Sequence, residues 1–406
     1  EHKKLNVPNL RFPEFQGEWK KTKFGDIATG FDYGMNAAAK NYDGVNKYIR
    51  ITDIDEASST YTDKDIVSPD GILTDNYLVN NRDILLARTG ASTGKSYLYK
   101  QSDGKLYYAG FLIRANVTTH DPYFVFSQLH THRYWRWVSI MSARSGQPGI
   151  NSQEYSSFPI YTTSIEEESK IAKLLSLLDE RIATQNKIID KLQSLIKGLE
   201  DNLLDNPLWE KTYLRSFMQF FPTNSLSWEQ LSYKEGAIRN LHYGLIHGFQ
   251  TRGINSASLP MIKNEAVPKQ YMLCQIGDVA FADASEDTGE IAKSVEFVDT
   301  IEGDTICGLH TIHGRDIKNR TVVGFKGFAF NSRYFHNQIK RLAQGTKVFS
   351  ITANNLSSCY VYLPDLEKQK AIVKLLRSYE EQLIIGRMIL KQYEKQKQYL
   401  LRQMFI

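Results

Sequence analysis

Two stretches of the chain carry apolar residues at alternating intervals of four and three positions. The first pattern starts at Ile171 and the second at Ile372, 201 residues later. This heptad spacing places an apolar stripe along an α-helix, and the stripe needs a partner helix to bury it. A helix of about 40 residues is roughly 60 Å long and cannot bury such a stripe alone. The sequence therefore predicts two long helices, each following its own globular segment.

The two stripes match position by position. The one polar position of the first stripe, Gln185, coincides with Gly386 in the second. We therefore expect the helices to pair within the chain as an antiparallel coiled coil about a pseudo-twofold axis. Packing of each helix on its own globule, or a coiled coil between two chains, are the alternatives. The expected seam is Ile171, Leu175, Leu178, Ile182, Ile189, Leu192, Ile196, Leu199, Ile372, Leu376, Tyr379, Leu383, Leu390, Tyr393 and Leu400.

The segments before the helices repeat more weakly. The run Asp83–Ala87 aligns with Asp278–Ala282, and Tyr33-Gly34 recurs as Tyr243-Gly244, following Trp19 and Trp228 respectively. An order of landmarks kept twice indicates an internal duplication.

Short β-rich runs alternate with Gly, Asn, Asp and Ser clusters in these segments. The amphipathic stretch from Pro122 to Ala143, and its counterpart from Ser332 to Ala343, predict helices. The expected fold class is α+β, with globules at 1–160 and 207–362 and long helices at 161–206 and 363–406.

Composition narrows the function without fixing it. Hydrophobic residues make up 42% of the chain and charged residues 23%, as in ordinary soluble globular proteins. No apolar run approaches the roughly 18 residues of a membrane span, and no secretory signal precedes the globule, so we expect a cytoplasmic protein without a membrane partner. The net charge of +5 permits a nucleic-acid partner but does not require one.

Neither cysteines nor histidines suggest a metal site. Cys274, Cys307 and Cys359 lie far apart without a C-x-x-C spacing, which argues against zinc and against a disulfide framework. The close histidine pairs, His130/His132 and His310/His313, have no cysteine or carboxylate at ligand spacing. We therefore expect no metal site.

The segment Gly90–Ser96 resembles two catalytic motifs. A P-loop would need glycine where Thr89 stands, whereas the G-x-S-x-G pattern of a nucleophile elbow is matched. The duplicate segment, Ser285–Ile291, has no lysine and carries Asp287 in place of Ser92. If both repeats have the same function, that function is neither nucleotide hydrolysis nor acyl transfer. The segment is then a turn between strands.

Basic residues are concentrated late in each globule. Between Thr311 and Lys347 there are eight lysines and arginines against one acid, Asp316, with aromatic residues among them. The stretch Arg133–Arg144 likewise contains no acid. Such cations can neutralise DNA phosphates, and the released counterions drive binding.

Taken together, these features resemble the specificity subunit of type I restriction–modification systems. The likeness covers nearly the whole chain, and the long helices are its most specific part. The second globule departs from the pattern where Ser232–Ala237 stands in place of Lys23–Asp26. The resemblance rests on the residues Gly25–Ile27, Asn81–Leu85, Gly146–Asn151, Phe158–Ile160, Ile171–Leu199, Gly277–Val279, Gly345–Lys347 and Leu363–Met404.

The resemblance implies a DNA-binding role without catalysis. Each globule would be a target recognition domain for half of a bipartite, asymmetric DNA site, and the helix pair a spacer that docks two modification subunits. Those subunits would bring S-adenosylmethionine, and restriction subunits would bring ATP and Mg²⁺, so this chain would bind no cofactor itself. A coiled-coil adaptor that binds proteins but no DNA is the alternative.

Candidate DNA contacts follow from the residue types that read base edges. Arginine and lysine suit guanine, while asparagine and glutamine suit adenine. The expected residues are Tyr33, Asn36, Lys40, Lys47, Arg50, Arg88, Thr89, Ser92, Lys95, Arg144, Gln147, Asn151, Tyr243, His247, Gln250, Arg252, Lys263, Arg315, Lys318, Arg320, Gln344 and Lys347.

Overall fold

The chain divides into two compact units, and the long helices contribute to both. The structure is a computed structural model that describes residues 5–143, 148–249, 251–299, 301 and 303–406. Unit 1 consists of residues 1–185 and 390–406, and unit 2 of residues 186–389. None of the helices in the described ranges combines the length and the apolar character that a membrane span needs.

Unit 1 is a mixed α and β structure. Its strands are β1 (Lys20–Lys23), β2 (Ala28–Tyr33), β3 (Ala38–Asn41), β4 (Lys47–Ile49), β5 (Val67–Asp70), β6 (Asp83–Ala87), β7 (Ser96–Leu98), β8 (Leu106–Tyr108), β9 (Leu112–Val117) and β10 (Pro159–Thr162). Its helices are α1 (Phe24–Ile27), α2 (Pro122–Gln128), α3 (His132–Ser142), α4 (Ser152–Ser156) and the first half of α5 (Ile165–Leu204). The main sheet has the antiparallel order β2-β9-β6-β7, and β4 pairs with β8 in parallel.

Strand β6 is buried along its whole length because both of its faces are covered. Ile84 and Leu86 point into the core that contains α2 and the start of α5, whereas Leu85 and Ala87 join a second core with β4 and β8. A strand covered on both faces is apolar without alternation, as the run Ile84–Ala87 is.

Unit 2 repeats this plan. Its strands are β11 (Glu210–Tyr213), β12 (Met218–Phe221), β13 (Leu231–Ser232), β14 (Arg239–Leu241), β15 (Gly253–Ile254), β16 (Met261–Ile262), β17 (Val279–Ala282), β18 (Ala284–Ser285), β19 (Ser294–Phe297), β20 (Thr305–Cys307), β21 (Thr311–Asp316), β22 (Phe349–Ser350) and β23 (Tyr360–Leu363). Its helices are α6 (Tyr243–Gly248), α7 (Phe325–Ala329), α8 (Arg333–Leu342), α9 (Ala353–Ser358) and most of α10 (Leu366–Gln403).

Matching strand pairings confirm the duplication. The order β12-β21-β17-β19 in unit 2 corresponds to β2-β9-β6-β7 in unit 1, and the parallel pair β14–β20 corresponds to β4–β8. Strand β15 extends the sheet of unit 2 beyond β19. The two units therefore share a topology although their sequences are largely different.

The strand pairing corrects the alignment at the start of the second repeat. Strand β11 pairs with β23 as β1 pairs with β10, so Trp209, not Trp228, corresponds to Trp19. Tyr213–Ser216 therefore stands in place of Lys23–Asp26. Likewise, Tyr243-Gly244 begins α6, whereas Tyr33 ends β2. Backbone pairing fixes this register, and side-chain identity at the exposed strand positions does not reveal it.

The stretch from Pro122 to Ala143 forms two helices, and the expectation of one continuous helix is wrong. The break falls at 129–131, where the Thr131 hydroxyl oxygen accepts a hydrogen bond from the Tyr134 N–H and caps α3. Ser332 caps α8 in the same way by accepting from the Phe335 N–H. A threonine or serine in this role satisfies an N–H group that the first helical turn leaves free.

The long helices run in opposite directions. In unit 1, Leu175 and Leu178 of α5 share a core with Leu400 of α10. In unit 2, Leu199 of α5 shares a core with Leu376 of α10. Every residue expected in the seam is buried or half-buried, so the antiparallel coiled coil is confirmed.

Candidate nucleic-acid interface

Two loops of unit 1 meet at the end of β6. Thr89 forms an isolated bridge with Gly149, the Gly90 N–H donates to the Pro148 carbonyl at 3.0 Å, and the Ile150 N–H donates to the Arg88 carbonyl at 2.9 Å. These bonds fix the segment after β6 against the segment that leads into α4.

Five residues at this junction form what we call the Arg88 cluster: Tyr33, Arg88, Thr89, Phe111 and Asn151. The Arg88 guanidinium lies 4.7 Å from the centre of the Tyr33 ring, and its Nε atom has no hydrogen-bond partner among the described residues. The Ser152 N–H donates to the Tyr33 hydroxyl oxygen at 3.2 Å. Asn151 caps α4 by accepting from the Glu154 N–H at 2.9 Å. The cluster thus joins a cation with an aromatic ring, both suited to nucleic acid.

Phe111 belongs to this cluster but was not expected from the sequence. Its side chain is 57% exposed, and its carbonyl accepts from the Arg88 N–H at 3.0 Å. An exposed phenylalanine ring offers a surface on which a base can stack. In the sequence Phe111 precedes a buried strand and resembles an ordinary core residue.

Unit 2 joins the corresponding loops. Ser285 pairs with Phe349, and Gln344 exchanges two backbone hydrogen bonds with Ser350, at 3.0 and 2.8 Å. We call residues 343–350 the Gln344 loop. It presents Gln344 and Lys347, both exposed, while Glu286 and Asp287 lie exposed in the facing segment. The side chains at the two junctions therefore differ in both type and charge.

Several other expected cations pair with acids at the surface of unit 1. Lys40 lies 3.6 Å from Asp70, and Lys95 lies 3.2 Å from Glu56; both acids are exposed, whereas Lys95 itself is half-buried. Such pairs are weak in water, so a phosphate can displace the acid. Two more expected residues are held more firmly, since Arg50 binds Asp53 and Asp65, and Lys47 donates to the Asp103 carbonyl.

Arg315 is turned inward. Its guanidinium donates two hydrogen bonds, of 2.8 and 2.7 Å, to the buried carboxylate of Asp278, which also accepts from the His313 Nε2 at 2.7 Å. Burial raises the pKa of Asp278, but the bonds from Arg315 and His313 outweigh it and hold the pKa below its usual value. The Arg315 side chain therefore stabilises the buried Asp278 carboxylate within unit 2.

Arg252 also faces carboxylates of its own unit. Its Nη2 lies 3.7 Å from Glu200 of α5, and its backbone N–H donates to Glu380 of α10 at 3.3 Å. Burial raises the pKa of Glu380 to about 7 against the opposing effect of Arg252. Arg320 pairs with Glu210 at 2.6 Å.

The remaining expected residues are spread over both units. Asn36 and Lys318 are exposed, Ser92 and Lys263 are half-buried, and His247 lies 3.4 Å from Glu290. Tyr243 packs against the rings of His242, His247 and His310. Arg144, Gln147 and Gln250 lie outside the described residues.

A buried group that the sequence spacing concealed lies in unit 2. The sulfurs of Cys274 and Cys307 are 3.6 Å apart, and a ligating nitrogen of His313 lies within 4.8 Å of both. We call these three residues the Cys–His cluster. They are separated by up to 39 positions in the chain, and the pairing of β20 and β21 with their neighbours brings them together.

Comparison with known proteins adds to this geometry. A family model described as the type I restriction modification DNA specificity domain matches residues 16–194 and 308–395. The type I restriction enzyme MjaVIII specificity subunit of Methanocaldococcus jannaschii is 25% identical over 410 residues, covering 96% of this chain and 91% of that protein. The putative MjaX specificity subunit of the same organism is also 25% identical, covering 98% and 95%.

A solved structure shares the fold. The S subunit of a type I restriction-modification system from M. genitalium aligns with a TM-score of 0.63 at 14% identity, over 98% of this chain and 99% of that one.

Proposed function

The chain belongs to the type I restriction modification DNA specificity family, and from this premise we propose that each of its repeats reads one half of a bipartite, asymmetric DNA site. Specificity subunits recognise DNA targets and are not catalytic, which accounts for a duplicated protein without a repeated catalytic motif. The proposed target recognition domains are residues 1–160 and 207–362. Residues 161–206 and 363–406, which contain α5 and α10, are the proposed spacer segments.

One observation supports the two-reader proposal above all. Both repeats join the same two loops at the end of the same strand, through Thr89 and Gly149 in unit 1 and through Ser285 and Phe349 in unit 2. The side chains carried there differ, with the Arg88 cluster in one repeat and the Gln344 loop in the other. Base readout depends on side-chain type. Two repeats that have the same backbone junction but carry different side chains there therefore suit two different half-sites.

The other expected contacts support the interface more loosely. Lys40 and Lys318 are exposed and Lys95 is half-buried, and all three are suited to phosphates, which position a protein on DNA without reading its sequence. Arg252 and Arg315 have buried carboxylate partners within the unit, so we assign them a supporting role behind the interface. Arg320 pairs with the exposed Glu210 and is, like Lys40, suited to a phosphate.

The long helices offer a surface for the methyltransferase partners. Besides their buried seam they expose large apolar side chains: Leu177, Ile188 and Leu195 on α5, and Ile385, Met388, Ile389 and Tyr399 on α10. Exposed apolar side chains mark a protein interface where they form a contiguous patch. We assign this surface to two modification subunits, which would hold S-adenosylmethionine. Restriction subunits, with ATP and Mg²⁺, would complete an assembly that acts on DNA in the cytoplasm.

The proposal is tested by exchanging one reader. Residues 207–362 are replaced by the corresponding region of a family member with a different target, and the hybrid is expressed with its modification subunits. Methylated bases are then mapped across the host genome. We expect one half-site to change while the other half-site and the spacing are retained. A change in both half-sites, or in neither, would contradict the two-reader arrangement.

A second measurement separates DNA recognition from a purely adaptor role. The assembled complex is titrated with a duplex bearing the mapped site and with a scrambled duplex at several salt concentrations. Specific DNA binding predicts a preference for the first duplex and a steep loss of affinity with salt. An adaptor would show neither, and no feature of the described residues favours that role.

A further inference from the structure

The Cys–His cluster has the composition and spacing of a metal site. Cys274, Cys307 and His313 are all buried, and the two sulfurs are 3.6 Å apart. Two thiolates bound to one tetrahedral Zn²⁺ at about 2.3 Å each would lie about 3.8 Å apart. The observed separation is therefore close to that of a loaded site without rearrangement of the backbone.

His313 supplies an independent indication. Its side chain is 1% exposed and its Nε2 lies 2.7 Å from the Asp278 carboxylate, while its Nδ1 is buried with no hydrogen-bond partner among the described residues. An imidazole that donates one N–H to a carboxylate presents a lone pair at the other nitrogen, the arrangement common to zinc-binding histidines. A buried nitrogen without a partner is costly unless something binds it.

We propose that Cys274, Cys307 and His313 bind one Zn²⁺ ion through the two sulfurs and the histidine Nδ1. Binding releases the two thiol protons to solvent, and the imidazole stays neutral. Two thiolates and one Zn²⁺ then sum to zero charge, while Asp278 and Arg315 neutralise each other beside them. A neutral group of this kind suits the apolar core that contains both cysteines.

The first repeat provides an internal comparison. The Val79 N–H donates to the Leu106 carbonyl as the Cys274 N–H donates to that of Thr305, and Ile49 pairs with Tyr108 as Leu241 pairs with Cys307. By the same register, Arg114 corresponds to His313. Valine, tyrosine and arginine offer no zinc ligand set, so the site is confined to unit 2.

The ion would join two sheets of unit 2. Cys307 ends β20, which lies in the sheet with β14, whereas His313 is in β21 of the main sheet and Cys274 precedes β17. Zinc would thus add a cross-link where the first repeat relies on side-chain packing.

The test measures metal directly in the full chain. Purified protein is loaded with Zn²⁺, dialysed and analysed by mass spectrometry of its metal content. We expect about one zinc per chain, and near-complete loss in Cys307→Ser and His313→Gln. Cys359→Ser is the matched control, since Cys359 is equally buried but lies in a different core, and it should retain the ion.

A measurement on the wild-type chain tests the proposal even if the variants fail to fold. Replacement of zinc by Co²⁺ should give the visible absorption of a tetrahedral site with thiolate ligands. Wild-type chain that takes up neither ion, zinc content unchanged in Cys307→Ser and His313→Gln, or a Cys274–Cys307 disulfide in place of the metal would each overturn the proposal.

Discussion

The Lys397 ammonium nitrogen lies 2.6 Å from the Asp179 Oδ1, joining the end of α10 to the first half of α5 within unit 1. The other carboxylate oxygen, Oδ2, accepts a hydrogen bond from the Tyr123 hydroxyl of α2. One aspartate therefore links both long helices to the globule. An ion pair between two helices contributes to the choice of helix partner as well as to stability.

We predict a measurable coupling between Asp179 and Lys397. Their side chains are 30% and 18% exposed, so the charges are only partly screened by water. A double-mutant cycle with Asp179→Asn and Lys397→Met, followed by urea unfolding, should give a coupling energy of about 1 kcal/mol. The exposed pair Lys370–Glu367 is the control and should couple by less than about 0.5 kcal/mol. Equal coupling energies for the two pairs would contradict the role given to Asp179.

The helix seam predicts a sharp contrast between neighbouring leucines. Leu376 is fully buried in the core of unit 2, whereas Leu375 is 40% exposed on the same helix. Leu376→Ala should lower the free energy of unfolding by about 2–5 kcal/mol because it leaves a cavity. Leu375→Ala should change it by less than about 1 kcal/mol. Urea denaturation followed by circular dichroism measures both, and equal losses would place the seam on the wrong face.

Glu380 predicts a pH-dependent stability. Its pKa is about 7 in the folded chain, raised by burial, with Arg252, Glu200 and Arg377 as the charged groups around it. An unfolded glutamate titrates at about pH 4.3, so between that pH and 7 the folded state keeps a proton that the unfolded state has lost. The contribution of Glu380 to the free energy of unfolding therefore falls as pH rises through this window and stays low above it.

Glu380→Gln removes this effect. The variant should be more stable than the wild type at pH 8, by up to about 3 kcal/mol, and the difference should shrink to nearly nothing at about pH 4. Thermal unfolding at several pH values measures the difference. Glu381→Gln alters the exposed neighbour and should show no such trend. A wild-type stability advantage at pH 8 would show that the ionised carboxylate is well solvated or paired.

The Arg88 cluster predicts a loss of DNA binding without a loss of fold. Arg88→Ala removes a half-buried guanidinium whose side chain rests on Tyr33. Loss of a base contact by such a group should weaken binding of the mapped site by about 10–100-fold. Arg402→Ala, which alters an exposed arginine in the last turn of α10, is the control. Fluorescence anisotropy on the assembled complex measures both, and an unchanged affinity for Arg88→Ala would remove the cluster from the interface.

The long helices could be predicted from the sequence because a heptad repeat is a local, periodic signal. The seam from Ile171 to Leu199 is visible residue by residue, and the burial of each position follows from it. The globules are different, because their cores depend on strand pairings that no local period records. The counterpart of Trp19 is Trp209, which only the pairing of β11 with β23 reveals.

The functional groups were harder to find for the same reason. Arg315 has the residue type of a guanine reader, yet its hydrogen bonds go to the buried Asp278. Cys274 and Cys307 seemed unrelated at a separation of 33 residues, although their sulfurs meet in one core. Residue type shows what a side chain is able to bind, and the three-dimensional register decides what it faces.

The division of the chain has a consequence for its synthesis. Unit 2 is one continuous segment, whereas unit 1 draws on residues 390–406 as well as 1–185. The ring centres of Phe405 and Trp19 lie 6.1 Å apart, and the Leu10 N–H donates to the Gln403 carbonyl at 2.9 Å. During translation, residues 1–185 leave the ribosome before residues 390–406 have been synthesised. The part of the protein that is made first is therefore the part that is finished last, and it waits with an open core until the final helix emerges.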